Sequence, residues 1–430
     1  MSSHRTILAA TIVACAMGTG LSAQDCSILG QNTYVSDVMD QYYFWYREMP
    51  QVSPANFDSP EAYLEAVRFR PIDTSYSYIS GRAATDAFFS NSQFVGIGFT
   101  QRQLNPDEIR VAQVFPDSPA AELGLRRGDY IVEIDGRSVT DLSASGELGG
   151  AFGPSTIGYE VQIGWRTLQG ASKSGTVSKR PVTIPTVSQT KVLDLNGLPV
   201  GYVHFRNFVE PSTAALDQAF SELRREGVVD LVLDMRYNGG GLIDVARHLG
   251  SLIGGTRTNS QIFVEFQHND KQTALNRQLR FENRAQALSV PRIVILTSRA
   301  SASASELVIS GLDPFMPVTL VGRRTYGKPV GQYGFNFCDK VVFPVSFKSV
   351  NARGEGDFFN GFETDCPMRD GFNRPLGHPE EAMLAEALYF LEHGTCSPES
   401  MAEQTLRTQA TAGAEREAPP YGFDQLVNAR

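Results

Sequence analysis

The 430-residue sequence lacks the marks of several large protein classes. It has no basic cluster: 38 Lys and Arg face 47 Asp and Glu, for a net charge of −9. Neutralising phosphate takes concentrated positive charge, so a nucleic-acid binder is excluded. Beyond residue 23 no apolar run reaches the ~18 residues that span a bilayer. No Cys-x-x-Cys or Cys/His spacing marks a zinc site, no phosphate-cradling P-loop marks a nucleotide motor, and no Gly-x-Ser-x-Gly elbow marks the common serine hydrolases. There is no internal repeat. What remains is a chain that is 42% hydrophobic, long enough to bury large cores in two to three domains.

Residues 1–23 have the form of a secretory signal: His4 and Arg5, an apolar stretch over 7–17, then Leu21-Ser22-Ala23. They imply export to the periplasm or the exterior. In a second reading, Ile12-Val13-Ala14-Cys15 is a lipoprotein box that would tether the chain to a membrane through Cys15, its only expected membrane attachment. Cleavage after Ala23 leaves Cys26, Cys338, Cys366 and Cys396, an even number in an exported chain, which points to disulfides. Of the three connectivities, the expected one joins Cys338 to Cys366 and Cys26 to Cys396, tying the start of the folded chain to its last helix.

An α/β multidomain fold is expected. Residues 24–90 read as a small helical N-terminal domain: an aromatic-rich stripe over 35–45, and a second helix opened by Ser59-Pro60-Glu61, with Ser as cap and Pro at the first position. Residues 91–184 change to short alternating strands broken by Gly, Pro and Asp. From 185 to 396 strands and helices alternate, which implies a mainly parallel sheet. Elements read here are a hairpin turning at Asn196-Gly197, a helix over 211–226, a buried strand over 228–235, a helix over 242–253, a strand over 291–296 and a last helix over 379–392. Residues 397–430 lack periodicity and are expected to be a flexible tail.

Within the β-rich part, Ser118-Pro119 through Gly124, Gly128-Asp129 and Asp135-Gly136 resembles the PDZ domain. Upstream, Val95-Gly96-Ile97-Gly98 is similar to the loop that in PDZ domains offers backbone N–H groups to a peptide's terminal carboxylate, while the following strand pairs with the peptide. Glycine suits that task because bare backbone must approach the ligand.

The chemistry concentrates in residues 297–332. Ser301, Ser303 and Ser305 follow an apolar strand and start a helix, where the helix dipole and the N–H of the next residue can stabilise an oxyanion. Ser303-Ala304-Ser305-Glu306 equally spells a capping box, and the residues alone do not separate the three serines. A serine needs a base, and none of the histidines has a triad context. Lys328 can serve if burial keeps its amine neutral; an exposed solubilising lysine is the alternative.

The stretch Ser301-Ala-Ser303-Ala-Ser-Glu306, then Thr325-Tyr-Gly-Lys328 and Gln332, resembles the catalytic signature of the C-terminal processing peptidases, the tail-specific proteases. Leu233-Asp-Met-Arg236-Tyr-Asn238-Gly-Gly-Gly-Leu242 is similar to that family's glycine stretch, and the PDZ-like part lies where the family carries one. The resemblance covers roughly residues 90 to 345. It implies Ser303 as nucleophile, Lys328 as general base, Gln332 orienting the lysine, and Ala304 with Gly240 or Gly241 as oxyanion hole. It also implies an ATP-independent endopeptidase, without metal or other cofactor, that takes unfolded or processed proteins by their C-termini. The alternative is a non-catalytic peptide- or ligand-binding protein of the same fold. The sequence departs from the family at Pro329, where Gly is usual, and at Gly331, where Val is usual; oligomeric state is not legible.

Overall fold

The computed structural model describes residues 25–105 and 107–410, the last five as backbone only. Residues 1–24, where a signal segment and the Cys15 lipid attachment were expected, and residues 411–430 lie outside the described residues. Among the described residues no helix is long and apolar enough to cross a membrane.

The centre is a six-stranded sheet in the order Val187–Leu195, Leu198–Phe205, Asp230–Asp234, Ile293–Thr297, Val318–Gly322, Cys366–Pro367. The last five strands run parallel, and the first joins antiparallel through the hairpin at Asn196 and Gly197. Both of those turn residues have positive φ, as a two-residue hairpin turn requires. Strands Asp230–Asp234 and Ile293–Thr297 are buried at every residue, which is why they read as continuous apolar runs. Helices Ser212–Arg225, Ile243–Gly254 and Ala304–Leu312 enclose the main core on one face. Helix Ala382–His393 covers the other, where Met383, Leu384 and Ala387 meet Val232, Val294 and Val321.

The PDZ module is a separate antiparallel sheet, ordered Phe99–Asn105, Glu108–Val114, Tyr130–Ile134, Glu160–Arg166, Ser172–Ser178. Helices Pro119–Leu123 and Val139–Ala144 accompany it. Ser118 caps the first by accepting the Ala121 N–H at 3.2 Å, and Gly124 ends it in the left-handed region.

The N-terminal segment is helical as expected, with Ile28–Tyr42 and Pro60–Val67 capped by Ser27 and Ser59. It has no core to itself, however. Its aromatic cluster (Tyr43, Trp45, Tyr63, Tyr76) is completed by Val330, Phe337, Val342 and Val345 from far along the chain. Strand Tyr78–Gly81 also pairs with Lys340–Phe343.

Two expectations are corrected. The disulfides are Cys26–Cys338 and Cys366–Cys396. Cys338 turns the hairpin between Phe335–Phe337 and Lys340–Phe343, beside the first helix, where Tyr34 stacks on Phe337. Cys366 lies in the edge strand of the central sheet, so the expected Cys338–Cys366 pair would have to join two different cores. The tail is also not wholly irregular: Pro398–Ala410 is a helix. Ser397 is anchored by Glu386, whose Oε1 accepts its N–H at 2.9 Å, and Glu403 pairs with Arg369.

Candidate active site

Three segments meet at the carboxyl end of the parallel sheet, where loops leaving adjacent strands are brought together. The first is the turn after Ile293–Thr297. It separates the three serines. Ser301 and Ser305 are fully buried, and their hydroxyls donate to the carbonyls of Met235 (2.8 Å) and Asn238 (2.9 Å). Ser303 is half-buried and holds φ 55°, ψ −112° at the N-cap of helix Ala304–Leu312. A non-glycine residue there is strained, and such strain persists only where the surroundings enforce it.

The second is the glycine loop after Asp230–Asp234. Asn238 locks it to the serine turn: its carbonyl accepts Ala302 N–H (3.2 Å), its side-chain oxygen accepts Gly240 N–H (2.9 Å) and its side-chain amide donates to Phe205 O (3.0 Å). Gly240 has φ +99°, and a Cβ on it would lie 2.7 Å from Ala302 O and 2.9 Å from Ala304 N. Only glycine lets the loop press against the serine turn this closely. A Cβ on Gly241 would lie 2.1 Å from Phe208 O.

The third is residues 325–332. Lys328 is half-buried, and its Nζ donates to Gln332 Oε1 at 2.5 Å. Val330–Gln332 is a strand paired with Val345–Val350, bulged between Gly331 and Gln332. The two departures from the family fit this strand. Pro329 contributes its carbonyl, which accepts from Ser349 N and Oγ. A side chain at 331 would run into the Phe347 ring at 2.1 Å.

Glu306 joins the first and third segments. Fully buried, it accepts Ser303 N–H (2.8 Å) and Lys328 N–H (2.9 Å) on Oε2, and Gly327 N–H (2.6 Å) and Thr325 Oγ1–H (2.6 Å) on Oε1. One carboxylate oxygen thus lies within hydrogen-bond reach of the backbones of both Ser303 and Lys328. Burial raises its pKa above the ordinary carboxylate value, and these four donors oppose that rise. The glutamate half of the capping box is present, its carboxylate accepting the Ser303 N–H, and this glutamate does more than cap a helix.

Beneath the glycine loop lies a buried ion network that sequence reasoning did not anticipate. The Arg236 guanidinium bonds Glu381 with both terminal nitrogens (2.8 Å each), and also Asp234 (2.9 Å) and Asp370 (3.0 Å). The PDZ residue Arg127 enters the same network through Asp370 (2.6 Å) and the Tyr237 hydroxyl (2.7 Å). Burial works against charge at Asp370, yet Arg127 and Arg236 hold its pKa down to about 2. The sequence signal was the invariably awkward one: charged residues inside an apolar strand and loop, which must be paired if buried.

None of the described histidines bonds to Ser303. His204 is buried with neither ring nitrogen hydrogen-bonded, His248 bonds Asp217, His268 bonds Asn276 and Tyr333, His378 accepts from Glu380 N–H, and His393 meets Tyr389 O.

In the PDZ module, Ile97 O accepts Ala120 N–H and Gly98 O accepts Phe115 N–H and the Ser118 hydroxyl. Val95 and Gly96 pair with Pro181 and Arg180. The loop leads into Phe99–Asn105, an edge strand bonded on one side only among the described residues. Helix Val139–Ala144 stands near that strand, with Gln103 reaching Ser143.

An α/β core with a serine-bearing helix start, a glycine loop and an inserted PDZ sheet defines a peptidase architecture. Three family models match the chain: peptidase family S41 over residues 199–368, the S41 N-terminal domain over 30–78 and a PDZ domain over 110–148. The chain is 32% identical over 252 residues to the chloroplastic C-terminal processing peptidase of Tetradesmus obliquus, covering 54% of this chain and 51% of that one. It is 29% identical over 269 residues to a carboxyl-terminal-processing protease of Picosynechococcus, covering 60% of each. A crystal structure from Bacteroides fragilis assigned to the S41 proteases superposes with a TM-score of 0.67 at 25% identity, covering 84% of this chain and 97% of that one. The chain is thus similar to the C-terminal processing peptidases, and its residues 199–368 match peptidase family S41. It spans about half to three-fifths of the length of these two curated relatives.

Proposed function

We propose that this chain is an exported, ATP-independent serine endopeptidase that cuts proteins presented by their C-terminal tails. The observation that carries the reading is the shared Glu306 oxygen. It brings the backbone of Ser303, on a strained helix start, beside that of Lys328, whose amine is held by Gln332.

In this reading the neutral Lys328 amine takes the Ser303 hydroxyl proton as Oγ bonds to the scissile carbonyl carbon. The oxyanion is met by Ala304 N–H and by Gly241 N–H, since the Gly240 N–H is already committed to Asn238. The Lys328 ammonium returns its proton to the departing amine. Water, deprotonated by Lys328, then opens the acyl-enzyme and frees a new carboxylate and the serine. The edge strand Phe99–Asn105 would receive the substrate tail by strand addition, with its carboxylate at the loop 95–98. The similarity to C-terminal processing enzymes supports that role.

The test is an unfolded reporter with an apolar C-terminal tail, incubated with wild type, Ser303→Ala and Lys328→Ala. Cleavage by wild type alone is expected. Cleavage that survives either substitution sinks the dyad, and tail binding without cleavage by wild type favours the non-catalytic reading.

A further inference from the structure

We infer that residues 73–77, from the N-terminal segment, are a positioning element for the base: Tyr76 fixes the backbone before Lys328 and the amide orientation of Gln332. The inference rests on the Ser/Lys reading above.

Asp73 is fully buried and folds this turn. Its Oδ1 accepts the N–H groups of Tyr76 (2.8 Å) and Ser77 (3.0 Å), and its Oδ2 accepts the hydroxyls of Ser77 (2.6 Å) and Tyr43 (2.9 Å). The turn aims both oxygens of Tyr76 at the lysine segment. The hydroxyl donates to Gly327 O at 2.5 Å, and the carbonyl accepts from Gln332 Nε2 at 2.6 Å. Burial, reinforced by Tyr326 and Glu306, raises the Tyr76 pKa, so its hydroxyl remains a donor.

The second proton of the Gln332 amide goes to Phe343 O at 2.7 Å. Phe343 is itself the register partner of Tyr78, so one segment sets both acceptors. An amide nitrogen between two carbonyls cannot exchange places with its oxygen without bringing oxygen against oxygen. Oε1 is therefore obliged to face Lys328 Nζ. That orientation matters chemically. A neutral amine that donates to Oε1 keeps its lone pair for the Ser303 proton, whereas a flipped amide would offer N–H to that lone pair and silence the base. Tyr76 and Asp73 are positioning residues, since neither is placed to touch the reacting atoms.

The full mature chain is tested as Tyr76→Phe and Asp73→Ala, with Tyr63→Phe as reference. Tyr63 lies in the same aromatic core, and its hydroxyl bonds only Ser36 among the described residues. Three quantities are read: kcat and KM on a fluorogenic version of the tail-bearing reporter, the rate at which a fluorophosphonate labels Ser303, and the melting temperature. In Tyr76→Phe, kcat and labelling should fall about 10-fold with KM within about twofold, and in Asp73→Ala about 100-fold, the scale of a misplacement near 1 Å. Tyr63→Phe should keep wild-type kcat and melt like Tyr76→Phe. If Asp73→Ala does not fold, Tyr76→Phe decides. Wild-type labelling that is lost in Lys328→Ala but unchanged in Tyr76→Phe overturns this inference alone. Equal labelling of wild type and Lys328→Ala overturns the Ser/Lys reading and this inference with it.

Discussion

Ser303 stands on a helix whose Leu307, Val308 and Ile309 pack into the core beneath the parallel sheet, a core whose buried members all fall within residues 203–347. Lys328 belongs to a different body. Val330, two residues on, packs with Tyr43, Trp45 and Tyr63 of the N-terminal helices. The first half is mainly aliphatic and built from strands and helices that follow one another; the second has the larger aromatic share and joins residues 35–79 to residues 330–345. The Cys366–Cys396 disulfide ties the edge strand of the parallel sheet to the core on its opposite face, and Cys26–Cys338 ties the second body. Two rigid bodies can each be well made and still present their reactive groups poorly, so the bonds between them matter out of proportion to their number. Glu306 supplies three of them, to Thr325, Gly327 and Lys328.

Removing either reactive group tests whether both halves are needed: Ser303→Ala and Lys328→Ala should each lower kcat by at least about 1,000-fold in the reporter assay. Glu306→Gln probes the seam between them. It places a donor against N–H groups, and kcat should fall about 100-fold with little change in the fold seen by circular dichroism. Opening the disulfides separates the halves energetically. The Cys26–Cys338 bridge closes a sequence separation of 312 and Cys366–Cys396 one of 30. Paired Ala substitutions should therefore cost about 6 and about 4 kcal/mol in denaturant titrations, and only the first should also depress kcat. A reversed order would show that the aromatic half is held by packing alone.

The smallest effect concerns acid. Burial lowers the His204 pKa from 6.5 to about 4, with Asp234 opposing and Arg236 assisting. The unfolded chain takes up a proton near 6.5 while the folded chain refuses it until about 4, so stability falls as pH drops through that window, by about 3 kcal/mol. Asp370 has its pKa lowered to about 2, and its contribution is lost only at more acid pH. Unfolding measured at pH 7 and pH 4.5 should show the loss in wild type and much less in His204→Gln.

Much of the aliphatic half was legible because its signals are local. Buried strands read as apolar runs, the Asn196-Gly197 turn as a hairpin and residues 379–392 as the last helix, observed at Ala382–His393. The PDZ module and the Ser303, Lys328 and Gln332 positions came through resemblance, and the separation of Ser303 from its neighbours needed the carbonyls of Met235 and Asn238. The aromatic half was legible only as helices. No pattern in residues 73–77 announces a bond to Gln332 lying 256 residues away, and disulfide pairing follows from such contacts. One miss was avoidable. Ser397-Pro398-Glu399 repeats the helix-start signal that was read at Ser59-Pro60-Glu61, and a helix follows it.

The order in which the chain is made gives the aromatic core a further meaning. Its helices emerge first, but Val330, Phe337, Val342 and Val345 emerge only after nearly the whole sheet. Until then residues 35–79 have only part of their core. Under the proposed Ser303/Lys328 pairing, the site is completed only when these two segments, far apart in the sequence, have met.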